Sequence, residues 1–160
     1  AEPELLKAVD SVNKRQKTRM AERIEEYFSP QGGVAGKTLA VWGLAFKANT
    51  DDIRESAAID IIKYLTARGM RVRAFDPAAG EHSAHALADS PLATIVEKQY
   101  AALTGAPALL VATEWNQFRT TDFDRIKNAL EAPVLFDGRN LYSGAAMARR
   151  GFAYFCVGRG

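Results

Sequence analysis

The chain contains few of the residues that build disulfides or zinc sites. In 160 residues it has one cysteine, Cys156, and two histidines, His82 and His85. A single cysteine cannot form a disulfide within the chain, and two histidines alone are too few for a structural zinc site. We therefore predict no metal site, and we expect a reducing compartment, the cytoplasm.

Long apolar runs and a strong charge of one sign are also missing. No stretch approaches the roughly 20 apolar residues that cross a bilayer. With 21 Lys and Arg against 19 Asp and Glu, the formal net charge is only +2. Because nucleic-acid-binding proteins usually carry a large positive surplus, we expect a protein that binds neither membrane nor nucleic acid.

Common catalytic motifs are missing as well. No serine stands in a G-x-S-x-G turn, and the chain lacks the G-x-G-x-x-G fingerprint of a dinucleotide site. Cys156 lies in the apolar run 152–157, where a cysteine usually packs as a small apolar side chain. We predict no nucleophile here and expect both histidines to be solvated.

What the chain does have is a regular apolar pattern. Residues 1–28 repeat apolar side chains at spacings of three and four, which predicts a long helix, and 29–36 form a linker. The helix is polar nearly all round at 13–19, which favours a packing partner outside this chain. Strands are predicted at 38–42, 71–75, 92–96, 108–112, 134–136 and 152–157, and helices at 57–68, 100–103, 121–130 and 143–150. This alternation predicts an α/β fold with a mainly parallel sheet covered on both faces.

Cations follow two of the predicted strands. Lys47 and Arg54 lie in a long loop after the first strand, and Arg139 follows the strand at 134–136. Ligands of open α/β sheets bind beyond the carboxyl ends of the strands, so the three cations predict a site for phosphate or carboxylate. The alternative is a solvated loop whose own acids, Asp51 and Asp52, pair with its cations.

Two further strand ends are open to two interpretations. Asp76 has the place of the acid that binds a ribose hydroxyl in nucleotide-binding units, but an acid before a proline is also a common turn former. Trp115 and Phe118 follow the strand at 108–112 and could be exposed to hold a base or sugar. They could equally cap the edge of the sheet.

Several ordered motifs carry a family resemblance. The chain has G-L-A-F-K at 43–47, T-D-D-I-R-E-S at 50–56, F-D-P at 75–77, T-E-W at 113–115 and D-G-R-N at 137–140. In order and spacing they closely resemble the C-terminal part of the UDP-glucose and GDP-mannose dehydrogenase family. The resemblance implies a Rossmann-like, doubly wound sheet preceded by a long helix. Residues 1–28 would be the end of the central dimerisation helix and 37–160 the sugar-nucleotide-binding domain of a longer enzyme.

The resemblance also implies a chemistry. Family members are cytoplasmic homodimers that oxidise the C6 hydroxyl of a nucleotide-linked hexose to a carboxylate, with two NAD and a cysteine supplied by a preceding domain. This chain alone would then be inactive. Residue by residue, the resemblance assigns Phe46, Lys47 and Arg139 to the UDP-sugar and Arg54 to NAD.

The family pattern has one departure and leaves the substrate open. Ala48 stands where bacterial relatives commonly carry proline, which would loosen the loop around Lys47. The substrate implied is UDP-glucose, with GDP-mannose or a UDP-N-acetylhexosamine as alternatives. From a different class, the chain could be a noncatalytic module for nucleotide binding or dimerisation.

Overall fold

A six-stranded parallel sheet organises the chain. The computed structural model describes residues 18–157. In this part the strands are β1 (Thr38–Trp42), β2 (Arg71–Phe75), β3 (Ala93–Ile95), β4 (Ala108–Val111), β5 (Val134–Asp137) and β6 (Ala153–Cys156). All neighbours pair in parallel, in the order β3-β2-β1-β4-β5-β6. This is the strand order of a doubly wound Rossmann sheet, so the predicted fold class is confirmed.

Helices cover both faces of the sheet. They are α1 (18–28), α2 (Ala57–Ala67), α3 (Gly80–Ala86), α4 (Asn116–Arg119), α5 (Phe123–Ala129) and α6 (Gly144–Arg149). Successive side chains of β1 point to opposite faces, which divides the core in two. Leu39 and Val41 pack with α1 and α2, while Trp42 packs with Ile126 of α5 and Met147 of α6.

Helix α1 is part of this core. Its apolar side chains Met20, Ile24 and Phe28 are buried against the same face of the sheet as α2. The apolar stripe of this segment therefore has its packing partner within the chain. The first 17 residues of the predicted long helix, with most of its polar stretch, lie outside the described residues.

Some predicted elements differ in detail from the structure. The helix predicted at 100–103 is a 3-10 turn (Tyr100–Ala102), and the one predicted at 121–130 begins only at Phe123, where the Asp122 side chain accepts the Arg125 N–H. Helices α3 and α4 were not predicted, since seven and four residues are too short to show helical periodicity. Within residues 18–157 no helix is both long and apolar enough to cross a membrane.

Candidate functional site

The long loop 43–56 is held to the sheet by a buried carboxylate. Asp76, directly after β2, accepts the N–H groups of Leu44 and Ala45 on Oδ2, at 2.7 and 3.1 Å. Its Oδ1 accepts those of Ala78 and Ala79, both at 2.8 Å. With both oxygens engaged by backbone and the residue 7% exposed, Asp76 acts as a turn former, which favours that interpretation over ribose binding.

The other end of the loop is held by Ser56. Its hydroxyl donates to the Leu44 carbonyl at 2.7 Å and accepts the Ile59 N–H at 3.2 Å, so it also caps α2. Between the two ends, the Phe46 N–H donates to the Asp52 carbonyl at 2.9 Å. The loop is therefore a defined structure built on its own polar groups.

Arg54 is paired within this loop. Its Nε and Nη2 donate to the carboxylate of Asp52, with an Nη2–Oδ2 distance of 2.7 Å. These bonds, with the Arg54 backbone N–H, lower the pKa of Asp52 to about 2, and the same pairing raises the pKa of Arg54. The arginine side chain is nevertheless 88% exposed, so its remaining N–H groups face solvent.

Glu114 connects the loops that carry the other two cations. Its Oε1 accepts the backbone N–H of Ala48 at 2.7 Å, and its Oε2 lies 2.6 Å from Nη2 of Arg139 in an ion pair. Lys47, the neighbour of Ala48, has its Nζ 5.3 Å from the centre of the Phe46 ring. Ala48 can make the bond to Glu114 because, unlike proline, it has a backbone N–H.

A cleft of about 290 Å³ opens at this edge of the sheet. Phe46 and Arg139 line it. The other lining residues are Met20, Glu55, Ala57, Ile61, Leu110, Ala112, Gly138 and Val157. The structure therefore brings Phe46 and Arg139 together in one cleft. Lys47 and Arg54 do not line the cleft: Lys47 is the next residue after Phe46, and Arg54 is paired with Asp52.

The loop after β5 depends on a second buried carboxylate that the sequence did not single out. Asp137 accepts the Arg139 N–H on Oδ1 at 3.0 Å. Its Oδ2 accepts the Tyr142 N–H at 3.0 Å and the Tyr154 hydroxyl at 2.6 Å. An Asp two residues before an Arg after a strand is a recognisable turn signal, but its fully buried position could not be read from the pattern.

The aromatic residues after β4 differ from each other. Phe118 is fully buried and stacks on Trp42, with ring centres 5.2 Å apart, so it caps the core. Trp115 is half-buried against the same cluster. Phe118 is therefore not available to hold a base or sugar.

The predicted burial of Cys156 and the predicted exposure of the two histidines agree with the structure. Cys156 is 6% exposed and packs in the core. His82 and His85 are exposed, on α3 rather than in an irregular stretch. Within residues 18–157 no three His, Cys, Asp or Glu side chains come close enough to hold a metal ion.

Comparison with known proteins decides the family. Residues 40–144 match the model of the UDP-glucose/GDP-mannose dehydrogenase family, UDP binding domain. The chain belongs to this family. The match includes the 43–56 loop, Glu114 and Arg139, so all of the cleft lining except Met20 and Val157 lies within the matched part.

Individual proteins of this family are similar to the chain over nearly its whole length. A UDP-glucose 6-dehydrogenase of Pseudomonas aeruginosa is 45% identical over 98% of the chain, and one of Rhizobium meliloti is 37% identical over 97%. The chain covers 35% and 34% of those proteins, so it spans about a third of their length. A solved UDP-glucose dehydrogenase from Pyrobaculum islandicum superposes with a TM-score of 0.74 at 36% identity, over 93% of the chain and 31% of that structure.

Proposed function

We propose that this chain is the sugar-nucleotide-binding domain of a UDP-glucose 6-dehydrogenase, an enzyme that oxidises UDP-glucose to UDP-glucuronate with two NAD. The observation that carries the proposal is the 45% identity to such an enzyme across 98% of the chain. The cleft adds physical support, because Arg139 and the aromatic Phe46 line it together. A guanidinium can bind a diphosphate at two points.

Phe46, Lys47 and Arg139 are the proposed substrate residues. Lys47 is exposed next to the cleft, and Arg139 keeps 40% of its side-chain surface exposed beside Glu114. Lys47 can approach a dianionic diphosphate directly, and Arg139 can use the N–H groups that do not face Glu114. In this proposal the domain binds and orients the nucleotide, and the catalytic cysteine belongs to a preceding domain, since Cys156 is buried in β6.

Arg54 is the proposed contact to NAD. The chemistry fits, because the Asp52 carboxylate orients the guanidinium while three of its five N–H groups stay available for a phosphate. When bound, NAD would accept the hydride. Residues 18–157 contribute one cationic contact to it and no glycine-rich phosphate loop, so the rest of that site belongs to another part of the enzyme.

The domain boundaries and the assembly remain proposals. We propose that residues 1–28 end a central helix through which two copies form a homodimer, that 29–36 are the linker, and that the enzyme is cytoplasmic. The supporting observation is that α1 packs on the sheet that carries the cleft.

The deciding experiment uses the full-length protein that contains this chain. NADH formation is followed with UDP-glucose, UDP-N-acetylmannosamine and GDP-mannose in parallel, each with NAD. We expect turnover with UDP-glucose, and Arg139→Ala should raise its KM about 10- to 100-fold, the scale of lost hydrogen bonds between charged groups. The exposed Arg149, at the end of α6, is the control, and Arg149→Ala should change nothing.

Other outcomes would change the proposal in defined ways. Turnover with another nucleotide alone would keep the chemistry and replace the substrate. No turnover with any of the three, from folded protein, would favour the noncatalytic binding module.

A further inference from the structure

Glu114 lies between the two loops that carry the proposed substrate cations. Strand β4 is paired with β1 on one side and β5 on the other, so the segment after β4 is flanked by the loops after β1 and β5. Glu114 is in that middle segment. Each of its carboxylate oxygens contacts one flanking loop, Oε1 the Ala48 N–H at 2.7 Å and Oε2 the Arg139 guanidinium at 2.6 Å.

These two contacts fix groups that would otherwise be free to move. Arg139 is a long side chain with 40% of its surface exposed, and the ion pair with Glu114 restricts its guanidinium. The bond to Ala48 restrains the backbone directly after Lys47, whose own side chain is exposed. One carboxylate therefore sets the distance between the two loops and the direction of the arginine.

We infer that Glu114 is a positioning residue for the diphosphate of the substrate, acting through Arg139 and the Lys47 loop. The inference rests on the proposed function, because it assumes that these cations bind the nucleotide. Glu114 touches neither the sugar nor the reacting atoms in this assignment. Its contribution is that the cations are already arranged before the ligand arrives, which reduces the entropy lost on binding.

The charge of Glu114 acts in the opposite direction. A carboxylate close to a diphosphate repels it, and Glu114 also competes with the diphosphate for the Arg139 guanidinium. If these were its only effects, Glu114 would weaken the binding of the substrate. In this assignment the diphosphate binds to the guanidinium, so it lies farther from the carboxylate than Arg139 Nη2, which is 2.6 Å from Oε2. Because Coulomb energies fall with distance, the repulsion is weaker than the ion pair that orders Arg139, and we expect positioning to be the larger effect.

Two variants of the full-length protein separate these effects. Glu114→Gln keeps an oxygen for the Ala48 N–H and removes the charge, while Glu114→Asp keeps the charge and is one methylene too short to reach both partners. Positioning predicts that both weaken UDP binding about five-fold, the scale of one partly exposed ion pair. Competition by charge predicts tighter binding for Glu114→Gln and no change for Glu114→Asp.

The measurements are the Kd of UDP by calorimetry, and KM and kcat for UDP-glucose. For both Glu114 variants we expect KM to rise in step with the Kd while kcat stays within about two-fold of the wild-type value. This pattern is expected when the lost interaction stabilises the bound substrate and the transition state equally. In an Arg139→Ala background, either Glu114 variant should add less than its own single effect, because the two residues act as a unit. If Glu114 had only a structural role, its variants would weaken UDP binding by the same factor with Arg139 present and with Arg139→Ala. They would also lower the melting temperature.

Each result has a defined meaning. Wild-type protein that does not bind UDP overturns the proposed function itself. If the wild-type protein binds UDP and Glu114→Gln binds it equally well or more tightly, the positioning role is overturned and the proposed function stands. The same holds if the losses from the Glu114 and Arg139 variants are fully additive. Either variant alone can carry the test if the other does not fold.

Discussion

The carboxylate of Asp52 holds the guanidinium of Arg54, two residues further along the loop. This pairing lowers the pKa of Asp52 from 3.8 to about 2. A carboxylate whose pKa is depressed by folding stabilises the folded state above its unfolded pKa, and the stabilisation is lost as the pH falls through the folded pKa. The contribution of Asp52 is therefore complete above about pH 4 and disappears toward pH 2.

The pKa of Asp52 can be measured by following the NMR chemical shift of its carboxyl carbon as the pH is varied. We expect a midpoint near 2, which Arg54→Ala shifts back toward 3.8 because the hydrogen bonds to the guanidinium are lost. The matched control, Arg149→Ala, should leave the midpoint unchanged. A midpoint near 3.8 in the unmodified chain would show that the two side chains are not paired in solution.

Asp137 concentrates three hydrogen bonds on one fully buried side chain. It accepts from two backbone N–H groups and the Tyr154 hydroxyl. Asp137→Ala leaves these donors without their acceptor, and we expect a loss of about 3 kcal/mol or more in the free energy of unfolding. Tyr154→Phe removes one donor from the same cluster and should cost about 1 kcal/mol. Urea unfolding of both variants measures the difference, and equal losses would contradict the shared role of Asp137.

At the scale of the element, the turn after β1 requires a glycine. Gly43 has a φ of 99°, and a Cβ there would lie 2.2 Å from Oγ1 of Thr113, two residues after the neighbouring β4. Both the backbone conformation and the space oppose any side chain. We expect Gly43→Ala to reduce the free energy of unfolding by about 2 to 4 kcal/mol.

A second glycine isolates the steric part of that loss. Gly36 has a φ of 80°, but a Cβ there would meet nothing within 4 Å. Gly36→Ala should therefore show only the backbone penalty, about 1 kcal/mol. Thermal unfolding of the two variants side by side makes the comparison. Equal shifts in melting temperature would mean that the contact with Thr113 relaxes without cost.

Elements with a long apolar pattern could be predicted, and short ones could not. The continuous apolar run in 38–42 reflects a strand buried on both faces, and the apolar face of 57–68 reflects a helix buried on one side. Helix α4 has four residues and a single buried side chain, Phe118, so no period is visible. For that reason the sequence left two positions open for Phe118, exposed or packed on the sheet, and the structure places it in the core.

The site could be predicted only in part, for a related reason. Parallel strands end at one edge of the sheet, so loops after β1 and β5 had to be near each other, and Phe46 and Arg139 do share a cleft. The partner of each cation depends on side-chain positions that spacing does not determine. Arg54 pairs within its own loop and Arg139 with Glu114, a residue of a third loop.

At the scale of the whole molecule, α1 belongs to the fold of the domain. Ile24 is fully buried against the face of the sheet that α2 also covers. Ile24→Ala leaves a cavity there, and we expect a loss of about 2 to 5 kcal/mol in the free energy of unfolding of the chain. The exposed Glu26 on the same helix is the control, and Glu26→Ala should stay within about 0.5 kcal/mol. A small effect of Ile24→Ala in urea unfolding would mean that α1 is not docked in solution.

The strand order also has a consequence for how the protein is made. The central pairing of the sheet joins Leu39 in β1 to Ala108 in β4, about 70 residues later. On the ribosome β1 can pair early with β2, but its other edge stays open until β4 emerges. The open edge of a strand presents unpaired backbone N–H and C=O groups that can pair with other chains, and pairings between distant segments form slowly. A nascent chain that stalls before β4 therefore exposes its most aggregation-prone surface, which makes the arrival of β4 the step where a chaperone would be of most use.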